Sequence, residues 1–248
     1  MKSSSAYLTV VFSLMIAASG TKCTTKSHAS NEQNGFAVVE LFTSEGCSSC
    51  PAADAAVARL VAKNEEQVYV LSYHVDYWNR LGWKDSFSKA EYSKRQSNYA
   101  AHFNLNSVYT PQIVVNGSSE FVGSNETKLK DSVTESRQQA VLSNLSINTT
   151  KTEKEISVDY SISGDEEVLL NIALVQPEAT TEVKRGENSG RKLHHINIVR
   201  SLQTIAAKGK GTASVEIPKE LAYIPLNIIA FTQAKKTLKV LGADRKIL

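Results

Sequence analysis

The chain has 248 residues, enough for one large domain or two modest ones. With 42% hydrophobic and 21% charged residues, a packed core is expected and disorder of the whole chain is excluded. The formal net charge is only +3, and no basic cluster is interleaved with aromatics, so no nucleic-acid partner is expected.

Lys2 gives the chain a positive start, and Ala6 to Ala18 is an apolar run broken only by Thr9 and Ser13. Small residues follow at Ala18, Ser19 and Gly20. The run is too short for a membrane span and suits the core of a signal peptide, predicted over residues 1–20. Such a signal places the protein in the periplasm or outside the cell. Residues 21–35, rich in Ser, Thr, Lys and Asn, read as a tether. Attachment to a membrane is expected only through lipidation of Cys23 or through an uncleaved N-terminal anchor.

From residue 36 the pattern becomes α/β. Phe36 to Phe42 (FAVVELF) reads as a buried strand and Cys50 to Ala62 as a helix with Pro51 in its first turn. Val68 to Val75 reads as a second strand and Glu91 to Phe103 as a helix. Gln112 to Val115 reads as a strand, Asn116-Gly117 as a hairpin turn, and Phe121 to Gly123 as the return strand. Thr127 to Leu142 reads as a closing helix. The order predicts an α/β domain over residues 36–143, with a parallel part and an antiparallel hairpin. Seven or so short strands over about 100 residues follow, predicting a β-sandwich domain over residues 144–248. They are Leu145 to Asn148, Glu155 to Ile162, Glu167 to Val175, His195 to Ile205, Thr212 to Ile217, Leu226 to Thr232 and Leu238 to Ala243.

Cys23, Cys47 and Cys50 are the three cysteines of the chain. They are too few for a stapling framework, so Cys47-Ser48-Ser49-Cys50 points to chemistry. At a strand-to-helix junction, the first sulfur sits where unpaired N–H groups and the helix dipole favour a thiolate. Cys47 is then the attacking nucleophile and Cys50 the resolving thiol. The redox-active disulfide is itself the prosthetic element, and no other cofactor is expected. Thr110-Pro111, just before a strand, fits a cis X–Pro bond facing the cysteines, with Thr110 open to an incoming peptide. Glu40, inside the apolar strand, is the candidate acid for moving a proton. His74 and Asp76, at the end of the second strand, are candidates for substrate contact. Trp78, with Tyr77 and Trp83, is a candidate aromatic wall. The polar segment Lys184 to His195, with Arg185, Glu187, Asn188 and Arg191, is a candidate functional loop.

Glu40-Leu41-Phe42-Thr43-Ser44-Glu45-Gly46-Cys47-Ser48-Ser49-Cys50-Pro51 resembles the signature of a bacterial secreted family catalogued as domain of unknown function 1223. Tyr73-His74-Val75-Asp76-Tyr77-Trp78 with Leu81-Gly82-Trp83-Lys84-Asp85 resembles its second block. Arg95-Gln96 with Tyr99, and Val108-Tyr109-Thr110-Pro111-Gln112 with Val115-Asn116-Gly117, resemble its third. Arg185-Gly186-Glu187-Asn188 with Gly190-Arg191, and Asn197 with Val199-Arg200, resemble a further stretch. The resemblance implies a thioredoxin-like domain joined to a β-rich one, and it implies no substrate. The reading is an exported thiol–disulfide oxidoreductase whose partners are protein or small thiols, or a redox partner. Two alternatives stand beside it. One is a soft-metal (copper) binding protein or metallochaperone using Cys47, Cys50 and His74. The other is a binding module in which the pair is a fixed staple.

Overall fold

The computed structural model describes residue 1 and residues 35–248 except residue 64. The predicted signal peptide beyond Met1, the tether before Gly35 and Cys23 fall outside the described residues. Gln33–Leu248 forms one compact unit.

β1 (Ala37–Thr43) is apolar at nearly every position because both of its faces are covered, as expected for a central strand. It pairs in parallel with β2 (Val68–His74), from Ala37 opposite Val68 to Thr43 opposite His74. Antiparallel β3 (Gln112–Val115) and β4 (Ser119–Val122) continue the sheet on the other side. The Asn116-Gly117 turn is where the sequence predicts it, with φ of +49° and +61°. Only glycine fits at 117, since a Cβ there would lie 1.9 Å from the Leu238 carbonyl oxygen.

Side-chain alternation sorts the helices. Ala37, Val39 and Leu41 face α1 (Cys50–Ala62) and α3 (Glu126–Arg137), meeting Ala53, Val57, Leu129 and Val133. Val38 and Phe42 face the other way, towards α2 (Ala90–His102), with Tyr73, Tyr92 and Tyr99. The helix predicted to reach Leu142 ends at Arg137, whose carbonyl takes the Gly35 N–H at 2.9 Å.

The boundary expected at residues 143/144 does not divide the sheet. β5 (Leu145–Lys151), β6 (Glu155–Ile162) and β9 (Lys210–Glu216) form a separate three-stranded sheet. β7 (Val168–Glu182), β8 (Lys192–Ala207), β10 (Asn227–Gln233) and β11 (Val240–Ile247) instead extend the first sheet. The result is a mixed eight-stranded sheet, ordered β11-β10-β7-β8-β2-β1-β3-β4. Its junction is parallel, Ser72 opposite Ile198, and the Ser72 hydroxyl donates to the Ile196 carbonyl at 2.7 Å. The reason is edge protection: without β8, the backbone groups along the outer side of β2 would lack partners. The smaller sheet packs on the large one through Ile147, Ile156 and Val158 against Leu170, Ile172 and Ile228.

β7 and β8 run beyond their predicted ends. Pro177 lies inside β7, although proline cannot donate to a ladder. The pairing shifts register between Leu174 and Val175 and continues on both sides of the proline, from Val175 opposite Val199 to Glu182 opposite Lys192. This two-stranded arm carries the residues between β7 and β8 across to α1.

Leu41 has no exposed surface. Leu41→Ala is expected to lower the unfolding free energy by about 3 kcal/mol, measured by urea denaturation, because the close-packed surroundings cannot fill the cavity.

Candidate functional site

β1 stops at Thr43, and Ser44-Glu45-Gly46 turns the chain into α1. Ser49 occupies the N-cap position of α1 without a side-chain capping bond, and Pro51 lies in its first turn, where a missing N–H costs nothing. The Cys47 N–H donates to the Ser44 carbonyl at 3.2 Å and the Cys50 N–H to the Cys47 carbonyl at 3.2 Å. This tight start brings the two sulfurs together as a Cys47–Cys50 disulfide. Ser48 and Ser49 are exposed, but Cys47 is only 1% exposed and Cys50 not at all.

Thr110-Pro111 is cis, as expected, and lies against α1. A Cβ on Gly123 would lie 3.0 Å from Ala53 Cβ and 3.2 Å from Pro111 Cβ, so little separates these two residues. Trp78 spans from this proline segment to the cysteine turn: its indole Nε1 donates to Thr110 Oγ1 at 2.8 Å. A Cβ on Gly46 would lie 3.0 Å from Trp78 Cβ. The structure therefore brings Trp78 next to Thr110 and to Gly46, the residue before Cys47.

Three other expected residues sit elsewhere or act otherwise. Glu40 lies on the face of β1 opposite α1. Its carboxylate accepts two bonds from Arg95, at 2.6 and 2.9 Å, and one from Tyr99 Oη at 2.5 Å. The sheet separates it from the sulfurs, so the expected proton-shuttle role is corrected to that of a buried ion pair. Asp76 turns to α2, where Oδ1 accepts from Ser93 Oγ at 2.5 Å. His74 is fully buried, with Nδ1 2.7 Å from Asp85 Oδ2. Of the donors of the copper reading, Cys47 and Cys50 are joined in the disulfide and His74 Nδ1 is engaged by Asp85. Among the described residues, no group of three or more His, Cys, Asp or Glu is arranged to hold a metal ion.

On the α1 side of the sheet lies a buried polar cluster that sequence reasoning missed. It joins Glu45, Asp54, Asp85 and His195 to His74. His195 stands between two acids, Nε2 3.4 Å from Glu45 Oε1 and Nδ1 3.8 Å from Asp54 Oδ2. The two imidazoles meet edge to face, with centroids 4.7 Å apart, and Phe87 packs on both. Trp83 Nε1 donates to Glu45 Oε2 at 2.7 Å. Asp85 Oδ2 also accepts the Glu45 N–H at 2.9 Å, tying the cysteine turn to the loop after β2.

Burial pushes the Asp54 carboxyl above the ordinary aspartate range, and the nearby imidazoles of His195 and His74 offset this only in part. Burial pulls His74 down, but the adjoining Asp85 carboxylate outweighs it and leaves the imidazole raised. Burial pushes Asp85 up, and His74 together with the Glu45 and Phe87 N–H groups brings it below its usual value. One available signal pointed to Asp54. It lies four residues after Cys50, hence on the same side of the helix, beside the apolar Ala53 and Val57. Nothing local marked Glu45 or His195, which meet only through the β2–β8 pairing.

The segment 183–191 between β7 and β8 is a strap over this site. It is closed on itself by the Val183 N–H to the Arg191 carbonyl at 2.9 Å and the Gly190 N–H to the Val183 carbonyl at 2.8 Å. Asn188 is fully buried, and its Nδ2 donates to both the Glu45 and the Cys47 carbonyls at 2.9 Å. Arg191 Nη1 holds the other end of that amide, donating to Asn188 Oδ1 at 2.8 Å. Glu187 Oε2 accepts the Ser48 N–H at 3.0 Å. Of the candidate loop, Glu187 and Asn188 thus reach the cysteine turn directly, and Arg191 braces them.

A family model described as "Protein of unknown function (DUF1223)" matches residues 38–233. A crystal structure of protein AGR_C_4864 from Agrobacterium tumefaciens is similar, with 29% identity and a TM-score of 0.65 over 84% of this chain and 92% of that one. A β-glucuronidase from Bacteroides uniformis aligns at 12% identity and a TM-score of 0.22, over 43% of this chain and 14% of that one. So low a score carries no argument. No curated protein is similar enough to match.

Two outcomes follow from the geometry. Glu40→Gln is expected to cost about 3–5 kcal/mol of stability, read by urea denaturation, because it uncouples a buried charge pair; its disulfide should still be reduced by dithiothreitol at close to the wild-type rate. For His74, the raised folded value means that its contribution is fully present below the unfolded value of 6.5 and is lost as pH rises through the folded value. The stability difference between wild type and His74→Gln should therefore be larger at pH 6 than at pH 9.

Proposed function

We propose, for a chain that belongs to the DUF1223 family, that it carries out thiol–disulfide exchange through Cys47 and Cys50 as an exported protein of the periplasm or cell exterior. The observation that carries this reading is the placement of the pair. The disulfide sits at the first turn of a helix that follows a central strand, and Trp78 reaches from the Gly46 turn to Thr110, next to the cis Thr110-Pro111 bond. The order β1-α1-β2-α2-β3-β4-α3, with strands arranged β2-β1-β3-β4, supports a thioredoxin-like reading of this half. In that reading Cys47 is the nucleophile and Cys50 resolves the mixed disulfide. Asp54, on the same helix face as Cys50, takes the proton-transfer role once expected of Glu40. Its raised carboxyl holds a proton to higher pH and can give it to the Cys50 sulfur as that sulfur leaves. Protein thiols, small thiols or a redox partner are the proposed partners, with Thr110 offered to a peptide beside the sulfurs.

Burial of both sulfurs favours a second reading, that of a fixed staple. The two diverge in cells. Under exchange, Cys50→Ser leaves Cys47 unable to release its partners, so disulfide-linked complexes should accumulate and vanish on adding reductant or in the Cys47→Ser, Cys50→Ser double variant. Under the staple reading, no such complexes form and Cys47→Ser only lowers the melting temperature.

A further inference from the structure

We infer that Glu187 and Asn188 form a redox-sensitive latch, which holds the strap 183–191 shut over the Cys47–Cys50 disulfide and releases it when Cys47 becomes a thiolate. The inference rests on the exchange reading above, since it concerns access to the same sulfurs.

The latch has two parts of different character. Asn188 is a neutral clamp on the Glu45 and Cys47 carbonyls, indifferent to the charge on sulfur. Glu187 is a carboxylate on the Ser48 N–H, one residue after Cys47, at the end of α1 that favours negative charge. Ser48 holds it by hydroxyl and backbone together, so the carboxyl lies below its usual range and the charge is present at neutral pH. Among the described residues, Glu187 forms no ion pair that would neutralise it. In the oxidised protein the sulfurs carry no charge, and the carboxylate has the helix end to itself.

Reduction changes that balance. A thiolate of a dithiol attacks Cys47 Sγ, and the electron pair of the sulfur–sulfur bond leaves on Cys50 Sγ, which takes up a proton. The dithiol's second thiolate then attacks its own sulfur in the mixed disulfide, expelling Cys47 as a thiolate. Two electrons have moved from the dithiol, now an internal disulfide, to the cysteine pair. Of its two protons, one resides on Cys50 and the other is in solvent. Two negative charges, Cys47 and Glu187, then compete for one helix terminus, and the mobile one is on the strap. Because the closed strap prefers the disulfide, the disulfide is favoured to the same degree by closure.

The strap contains its own reporters, since trypsin cuts after Lys184, Arg185 and Arg191. We expect cleavage at these bonds, followed by mass spectrometry, to be about tenfold faster in the folded reduced protein than in the oxidised one. Glu187→Gln should cut at one rate in both states, and its disulfide should be reduced by dithiothreitol at a several-fold lower ratio of reduced to oxidised reagent. Asn188→Ala should be cut fast in both states. Equal cleavage of the wild type in both states, with free thiols confirmed by alkylation, overturns the latch alone. So does a redox difference that survives in Glu187→Gln, which would mean that reduction merely loosens α1. So does an oxidised Asn188→Ala as protected as the wild type. A pair that stays oxidised in dithiothreitol on the folded protein removes the exchange reading and the latch with it.

Discussion

Parallel pairing of β1 with β2 is the constraint on which the rest of the site depends. With Thr43 opposite His74, both strands stop at one edge of the sheet. The cysteine turn leaves from one strand end, and the Trp78–Asp85 loop leaves from the other. Parallel ladders keep their strand ends level, so these two loops have to meet. Asp85 closes the meeting by taking the Glu45 N–H and the His74 ring on one carboxylate oxygen. Everything placed near the sulfurs is positioned relative to that joint.

The same register explains the buried acids and imidazoles. Alternation puts Thr43 and His74 on the α1 face and Glu40 on the other, each side of the sheet collecting its own polar set. On the α2 side, Arg95 and Tyr99 fully engage Glu40. On the α1 side, Glu45 Oε1, His74 Nε2 and both His195 nitrogens are left without hydrogen-bond partners. A cluster so incompletely satisfied does little for stability. It lies directly behind the cysteine turn, to which Asp85 ties it through the Glu45 N–H.

Much of the first half was legible in the sequence. The apolar run FAVVELF, the Cys-Ser-Ser-Cys-Pro junction, the Asn-Gly turn and the Thr110-Pro111 step each carry a local physical signal, and each lies where its signal put it. The second half was misread at the level of assembly. Its strands were mostly found, but a strand sequence does not state which edge it will join, and β2 offered one. The strand expected to end at Val175 runs on to Glu182, after a register shift between Leu174 and Val175. Glu40 was misassigned because an acid within an apolar strand looks the same whichever face it points to. Only the partner helix decides, and Arg95 was not a local neighbour. His195 and Glu45 are brought together across 150 residues of chain by one short parallel contact.

The strap is the tip of an arm formed by strands of the main sheet, so in the proposed latch the occluding group and the site it covers are one molecule. An occluder on a short tether acts at a fixed effective concentration, independent of how dilute the protein is. Under the exchange proposal, any thiol from outside would have to outcompete it, and weak or scarce thiols would be filtered out by that intramolecular rival before chemistry begins. On that proposal residues 144–248 supply the threshold that a partner has to exceed, and a fragment ending near residue 143 would lose it along with β8 and the Glu187 and Asn188 contacts.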